Sequence, residues 1–106
     1  MSTVQFRSAT LKFNSAKGGE QTQSTSVLFG SKVLEADAAI KSFKIGYTGE
    51  DHELKYEKIK IDSVTKEGTQ VGVQVTFALR DSSGTFDDAY EGYVEVMVSA
   101  VLDEAA

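Results

Sequence analysis

The stretch "VGVQVTFALR", residues 71–80, alternates between apolar and other side chains at every second position. A period of two predicts a β-strand with one face toward a core, because successive side chains of a strand point to opposite faces. The inward set is Val71, Val73, Val75, Phe77 and Leu79. Nothing at helical spacing explains five matches in a row, so this stretch commits the chain to a β fold.

The same alternation recurs in "YVEVMVSAVL", whose inward set is Val94, Val96, Val98, Ala100 and Leu102. "KIKID" and "SFKIGY" predict further strands, and "VQF", "LKF" and "SVLF" predict shorter ones. The turn "TKEGT" predicts a hairpin in which Gly68 takes a positive φ. We therefore expect an all-β chain, a small antiparallel β-sandwich of about six to seven strands, with a small barrel as the alternative. Residues 1–106 form a single domain in this interpretation.

Two segments complicate the pattern. Leu54 and Tyr56 have even numbers, whereas Ile59 and Ile61 have odd ones. Either a β-bulge lies near Glu57–Lys58, or the first pair points outward. "VLEADAAIKS" favours a helix by its Ala and Leu content but is too short to form one alone. We expect an irregular segment or a single turn there.

Composition excludes several classes of protein. The chain has no cysteine, so disulfides, thiolate catalysis and cysteine-based metal sites are excluded. Its net charge of −5 argues against nucleic acid and anionic membranes as partners. No apolar run approaches the ~20 residues of a membrane span, and no basic-then-apolar signal opens the chain. We expect no membrane insertion and a location in the cytoplasm, or export without a cleaved signal.

The sequence contains few of the residue patterns that enzymes use for catalysis. His52 is the one imidazole, and no nucleophile elbow, phosphate loop or dinucleotide motif occurs. We expect a non-enzymatic protein without a cofactor. In "DSSGTFDD", Asp81, Asp87 and Asp88 supply oxygen ligands, but the loop does not match the twelve-residue calcium pattern. We interpret it as a solvated hairpin loop, with a calcium site as the alternative.

Two surface features remain. His52 lies between Asp51 and Glu53, in what we interpret as a polar turn, with a ligand contact as the alternative. On the last strand the outward set includes Tyr93, Met97 and Val101. Three large apolar groups on an outer face predict an interface between subunits. Cover by a loop of the same chain, or a strand buried on both sides, is the alternative.

The order of these patterns resembles the H-type lectin-like domains. It runs from "SVLFGSKVLEADAAIKSFKIGYTGEDHE" through "KIKIDSVTKEGTQVGVQVTFALRDSSG" to "GYVEVMVSAVL" and covers most of residues 25–102. The resemblance implies a six-stranded antiparallel sandwich that forms trimers or hexamers and binds galactose or N-acetylgalactosamine. The chain departs from the family in having no tryptophan and a longer, acidic loop after the long alternating strand.

These observations predict a homo-oligomeric binding module, with a glycan as the ligand that the resemblance implies. The candidate ligand-binding residues at the loop ends are Asp51, His52, Arg80, Asp81 and Tyr90. The alternative is a structural or assembly subunit without a small-molecule ligand.

Overall fold

The computed structural model describes residues 2–16, 20–47, 54–81 and 90–103. These residues form six β-strands and no helix. The strands are β1 (Ser2–Ala16), β2 (Gln21–Leu28), β3 (Lys32–Tyr47), β4 (Leu54–Glu67), β5 (Gln70–Asp81) and β6 (Tyr90–Asp103). The prediction of an all-β chain with about six to seven strands is confirmed, and the short runs "VQF" and "LKF" belong to one long strand, β1.

The strands form two three-stranded sheets. Sheet A has the order β1-β6-β3 and sheet B has the order β2-β5-β4. Every pairing is antiparallel, so the predicted antiparallel sandwich is confirmed. The two strands with the clearest alternation, β5 and β6, are the central strands of their sheets. A central strand meets a neighbour on both sides, and its inner face meets the opposite sheet, which explains why its pattern is the most regular.

The core lies between the two central strands. The inward sets of β5 and β6 are buried wherever the side chains are described, as predicted. Phe77 anchors this layer, because its ring stacks on Phe13 of β1 with the centroids 4.3 Å apart and on Tyr90 of β6 at 5.6 Å. Aromatic pairs at these separations bury a large apolar area between the sheets.

β5 is also buried on part of its other face. Thr76 and Ala78, which the alternation places outside, have little or no exposure. Thr76 donates a hydrogen bond to the Asp62 carboxylate of β4 and is within 3.2 Å of the Thr22 hydroxyl of β2. The three side chains therefore link all three strands of sheet B across its outer surface.

β3 overturns the expectation of an irregular segment. "VLEADAAIKS" is part of one continuous strand, Lys32–Tyr47. Ala36 and Ala38 pair with Ala100 and Val98 of β6 and pack against the core. Pairing with a central strand outweighs the weak helix propensity of alanine. Register shifts between Val33 and Glu35 and between Ile40 and Ser42 keep the apolar residues on the inner side.

β4 has no register shift at Glu57–Lys58, so the bulge expected there is absent, and Tyr56 and Ile59 keep opposite parity. The register shifts between Leu54 and Tyr56, before the predicted Glu57–Lys58, and again between Ile61 and Ser63. The hairpin that follows matches the prediction, since Gly68 has a φ of 61°. Gly68 and Thr69 form a two-residue loop with glycine first, as a type II′ turn requires.

The connection from β2 to β3 crosses from sheet B to sheet A over this hairpin. The Phe29 amide donates to the Thr69 carbonyl (2.9 Å) and the Val33 amide donates to the Gly68 carbonyl (2.8 Å). These bonds close one end of the sandwich. The molecule extends 58 × 18 × 18 Å, in accord with strands of up to 16 residues running along one axis.

Candidate functional site

The outer face of sheet A carries an exposed group of apolar side chains, here called the apolar patch: Val4, Phe6, Met97 and Val101. Phe6 is 64% exposed, Val4 57% and Met97 37%, and Val101 is half-buried. Val4 lies directly opposite Val101 in the register of β1 and β6, and Ser8 lies opposite Met97. Directly opposite side chains on one face are close neighbours, so the four groups form one surface.

The patch brings together two predicted interface residues and two that the sequence analysis missed. Met97 and Val101 share the outer face of β6 with Tyr93, as their parity predicts. Val4 and Phe6 come from β1, where the sequence contained an unused signal. They have even numbers, whereas the buried Leu11 and Phe13 have odd ones. The register of β1 is unbroken from Ser2 to Phe13, so the two pairs must face opposite sides.

β3 supplies an acidic rim beside the patch. Glu35 lies opposite Val101, and Asp37 lies opposite Ser99. Ser99 occupies the middle of β6 between Val101 and Met97, with its hydroxyl 3.5 Å from the Asp37 carbonyl. An apolar centre with a polar border is the usual arrangement of an interface between proteins.

Farther along the same face, Tyr93 lies between two lysines, in what is here called the lysine groove. Lys12 of β1 and Lys44 of β3 are its direct cross-strand neighbours. The groove has a volume of 640 Å³ and also includes Gly46 and Glu91. Among the described residues, neither lysine ammonium has an ion pair or hydrogen bond. Both positive charges are therefore available to a ligand above the tyrosine ring.

The floor of the groove depends on Gly92. A Cβ atom at this position would lie 1.9 Å from the Lys44 carbonyl oxygen of β3. Such a contact is far inside van der Waals distance, so only glycine permits this approach of β3 to β6. The close approach fixes the position of the Lys44 backbone beside Tyr93, its cross-strand neighbour.

Tyr90 does not lie at the rim, where the sequence analysis placed it as a ligand contact. Its side chain is fully buried, and its hydroxyl donates to the Phe77 carbonyl of β5 at 3.3 Å. Burial raises the pKa of the Tyr90 hydroxyl above 10.0, the Gln21 side chain lowers it, and the Glu20 carboxylate raises it again by a smaller amount. The residue begins β6 and joins the two sheets.

The other predicted loop-end residues are placed only in part. Asp51, His52, Asp87 and Asp88 lie outside the described residues. Arg80 and Asp81 belong to the end of β5, where they pair with Tyr56 and Leu54 through the backbone. The described ranges contain no group of three or more His, Asp or Glu side chains that could hold a metal ion.

Among the described residues, no helix is long and apolar enough to cross a membrane. Searches for related proteins find no matching family model, no matching curated protein and no matching solved structure.

Proposed function

We propose that the chain is a binding module that works as a homo-oligomer, with its subunits joined through the apolar patch. The observation that carries the proposal is that Val4, Phe6 and Met97 are exposed together on one face of sheet A. Water contact with apolar area costs roughly 25 cal/mol per Å², so a surface of this kind favours a state in which it is covered.

A second copy of the chain is the occupant that the patch fits best. The patch is narrow and lies along two adjacent strands, with the carboxylates of Glu35 and Asp37 on one side only. Two copies related by a two-fold axis place apolar side chains together and leave both acidic rims at the outside, away from each other. Closed association of this kind covers the patch without forming fibres.

The test is the molar mass in solution, measured by sedimentation over a wide range of concentration. We expect the unmodified protein to be an oligomer and Val101→Lys to shift it toward the monomer, because the ammonium group would have to be buried among apolar side chains. Thr10→Lys is the matched control, since Thr10 is an exposed residue of the same face outside the patch. A protein that is monomeric at every concentration contradicts the proposal.

A second candidate function is carbohydrate binding, and the lysine groove is the observation that favours it. An exposed tyrosine ring offers a flat apolar surface to the C–H groups of a sugar, while the lysine ammonium groups donate hydrogen bonds to its hydroxyls. The groove volume of 640 Å³ falls in the range of small-molecule sites, about 300–1,000 Å³. The resemblance to H-type lectin-like domains supports galactose or N-acetylgalactosamine as the first ligands to test.

Titration calorimetry with these two sugars tests the second candidate. We expect Tyr93→Ala to weaken binding at least severalfold, and Phe43→Ala, which removes another exposed aromatic ring of sheet A, to leave it unchanged. Binding that survives Tyr93→Ala but is lost in His52→Ala moves the site to the predicted loop ends. The absence of binding across a wider glycan panel, with the oligomer intact, favours the assembly subunit without a small ligand.

A further inference from the structure

The sandwich has four edge strands, two in each sheet. β1 and β3 flank β6, and β2 and β4 flank β5. An edge strand presents unpaired amide and carbonyl groups, and proteins protect such edges by shortness, bulges or charged side chains. The four edges of this molecule differ in that protection.

Three of the edges are protected. β2 has only eight residues. β3 contains two register shifts and five charged residues, which are Lys32, Glu35, Asp37, Lys41 and Lys44. β4 also contains two register shifts, and seven of its fourteen residues are charged. Each of these features disfavours pairing with a further strand.

β1 lacks this protection along its first half. Its register with β6 is continuous from Ser2 to Phe13, so this part of the strand is regular. Arg7 is the one charged residue between Ser2 and Leu11, and the chain contains no proline. A long, regular and nearly uncharged edge is a template for another strand.

The first half of β1 is also accessible on both faces. Residues 2–8 are all exposed, those that point toward sheet B included. Between β1 and β2 a surface groove is lined by Arg7, Ser8 and Ala9 together with Ser26, Val27 and Leu28. Residues 2–6 do not line this groove, and their side chains are exposed.

We propose that residues 2–8 of β1 pair antiparallel with the same residues of a second copy, which joins two copies of sheet A into one six-stranded sheet. This inference rests on the proposed self-association and adds a second contact between copies, at the edge of β1, to the contact through the apolar patch. The two-fold axis passes beside Gln5, so that Val4 lies opposite Phe6 of the second copy and Phe6 lies opposite its Val4.

The sequence of the strand selects this register. A shift by one residue would place Val4 and Phe6 opposite side chains of the inner face. If the two-fold axis lay beside Phe6, Val4 would no longer lie opposite Phe6 of the second copy. If the axis lay beside Arg7, the two Arg7 guanidinium groups would lie opposite each other. With the axis at Gln5, each Arg7 lies opposite an uncharged Thr3, and the outer face gains two Val–Phe pairs.

Disulfide cross-linking tests the proposal without background, because the chain has no cysteine. In the proposed register Gln5→Cys brings two cysteines directly opposite each other, with Cα atoms about 4.5–5.5 Å apart, a separation that a disulfide spans. We expect Gln5→Cys to form covalent dimers under mild oxidation about tenfold faster than the control Gln74→Cys, which is exposed on sheet B.

The outcomes separate this inference from the proposed function. An oligomer in which Val101→Cys cross-links and Gln5→Cys does not overturns the pairing of β1 and leaves association through the patch intact. A protein that stays monomeric overturns the proposed function, and the edge pairing with it. Cross-linking that is faster at Arg7→Cys than at Gln5→Cys overturns the register centred on Gln5.

Discussion

The two sheets of the sandwich are alike on the inside and different on the outside. β6 and β5 both bury a run of valines toward the core. On its outer face β6 carries Tyr93, Met97 and Val101, whereas β5 carries residues such as Gln70 and Gln74. A core of this size does not require an apolar outer face on either sheet. The outer face of β6 is therefore more apolar than that of β5, and the proposed association rests on this difference.

The neighbouring strands extend the contrast. β2 places Thr22, Ser24 and Ser26 on the outer face of sheet B, beside Gln74 and Thr76 of β5. Sheet B satisfies some of these groups internally, since the Thr22 hydroxyl can donate to Thr76, whose own proton goes to the Asp62 carboxylate. At this edge sheet B exposes one large apolar side chain, Leu28, whereas sheet A exposes two, Val4 and Phe6.

The largest effect that we expect is a loss of stability, and it compares a glycine of β6 with a glycine of β5. Gly92→Ala in β6 should cost about 3 kcal/mol of unfolding free energy, because the new methyl group would meet the Lys44 carbonyl at 1.9 Å and β3 would have to move. Gly72→Ala in β5 is the matched control. Its Cβ would lie 2.9 Å from the Thr65 hydroxyl, whose side chain can rotate away, and 4.0 Å from the Thr25 carbonyl oxygen, an ordinary van der Waals contact.

We expect Gly72→Ala to change stability by less than about 1 kcal/mol. Urea denaturation of both variants measures the difference. Equal destabilisation of the two variants would mean that sheet A is no more tightly constrained than sheet B.

The next effect separates the two outer faces directly. Met97→Lys should weaken self-association about tenfold or more, because the lysine must be desolvated in the covered patch. Gln74→Lys, at an exposed position of the central strand of sheet B, should leave association unchanged. Sedimentation equilibrium gives both constants. An effect of Gln74→Lys that equals that of Met97→Lys would show that the charge of the whole molecule, and not the patch, controls association.

A smaller effect concerns the outer face of sheet B. Thr76→Val keeps the shape of a buried side chain but removes the hydroxyl between Thr22 and Asp62, and we expect a loss of about 1 kcal/mol. Thr25→Val serves as a control for the exchange itself, since Thr25 lies on the same sheet and is half-buried. Thermal unfolding of the two variants should rank Thr76→Val as the less stable. The reverse order would remove the linkage across sheet B as a source of stability.

The smallest effect concerns Tyr90, whose hydroxyl connects sheet A to the Phe77 carbonyl of sheet B. Tyr90 is neutral when buried, and its pKa is raised above the unfolded value of 10.0. Its contribution is therefore complete below pH 10 and is lost as the pH rises from there through the folded pKa, because the unfolded chain releases its proton first. Tyr90→Phe should cost about 0.5–1 kcal/mol near neutral pH and flatten this decline. Unfolding measured from pH 8 to 11 compares the slopes, and identical slopes would contradict the assignment.

Hydrophobic alternation and turn residues were sufficient to predict the two central strands and the hairpin between β4 and β5. Val71 to Phe77 and Val94 to Leu102 alternate because each strand has one core face, and Gly68 stands where the turn needs a positive φ. Ala36 and Ala38 could not be placed by propensity, since pairing with β6 decides their conformation. That pairing joins residues about sixty positions apart, which no short window of sequence contains.

The candidate site was predicted in part. Tyr93, Met97 and Val101 followed from the parity of β6, but Val4 and Phe6 required knowledge that β1 is one unbroken strand. Tyr90 shares its parity with Val94 and Val96, and this was the signal for a core residue. Asp51 and His52 remain predictions, because they lie outside the described residues.

The order of the strands has a consequence for synthesis. β6 separates β1 from β3, yet it is translated after both of them. Until it emerges, two long strands of one layer lack their shared neighbour, and contacts of such wide sequence separation form slowly. Nascent chains at this stage would be the most prone to aggregate. A chaperone that shields the unpaired strands would raise the yield of native protein.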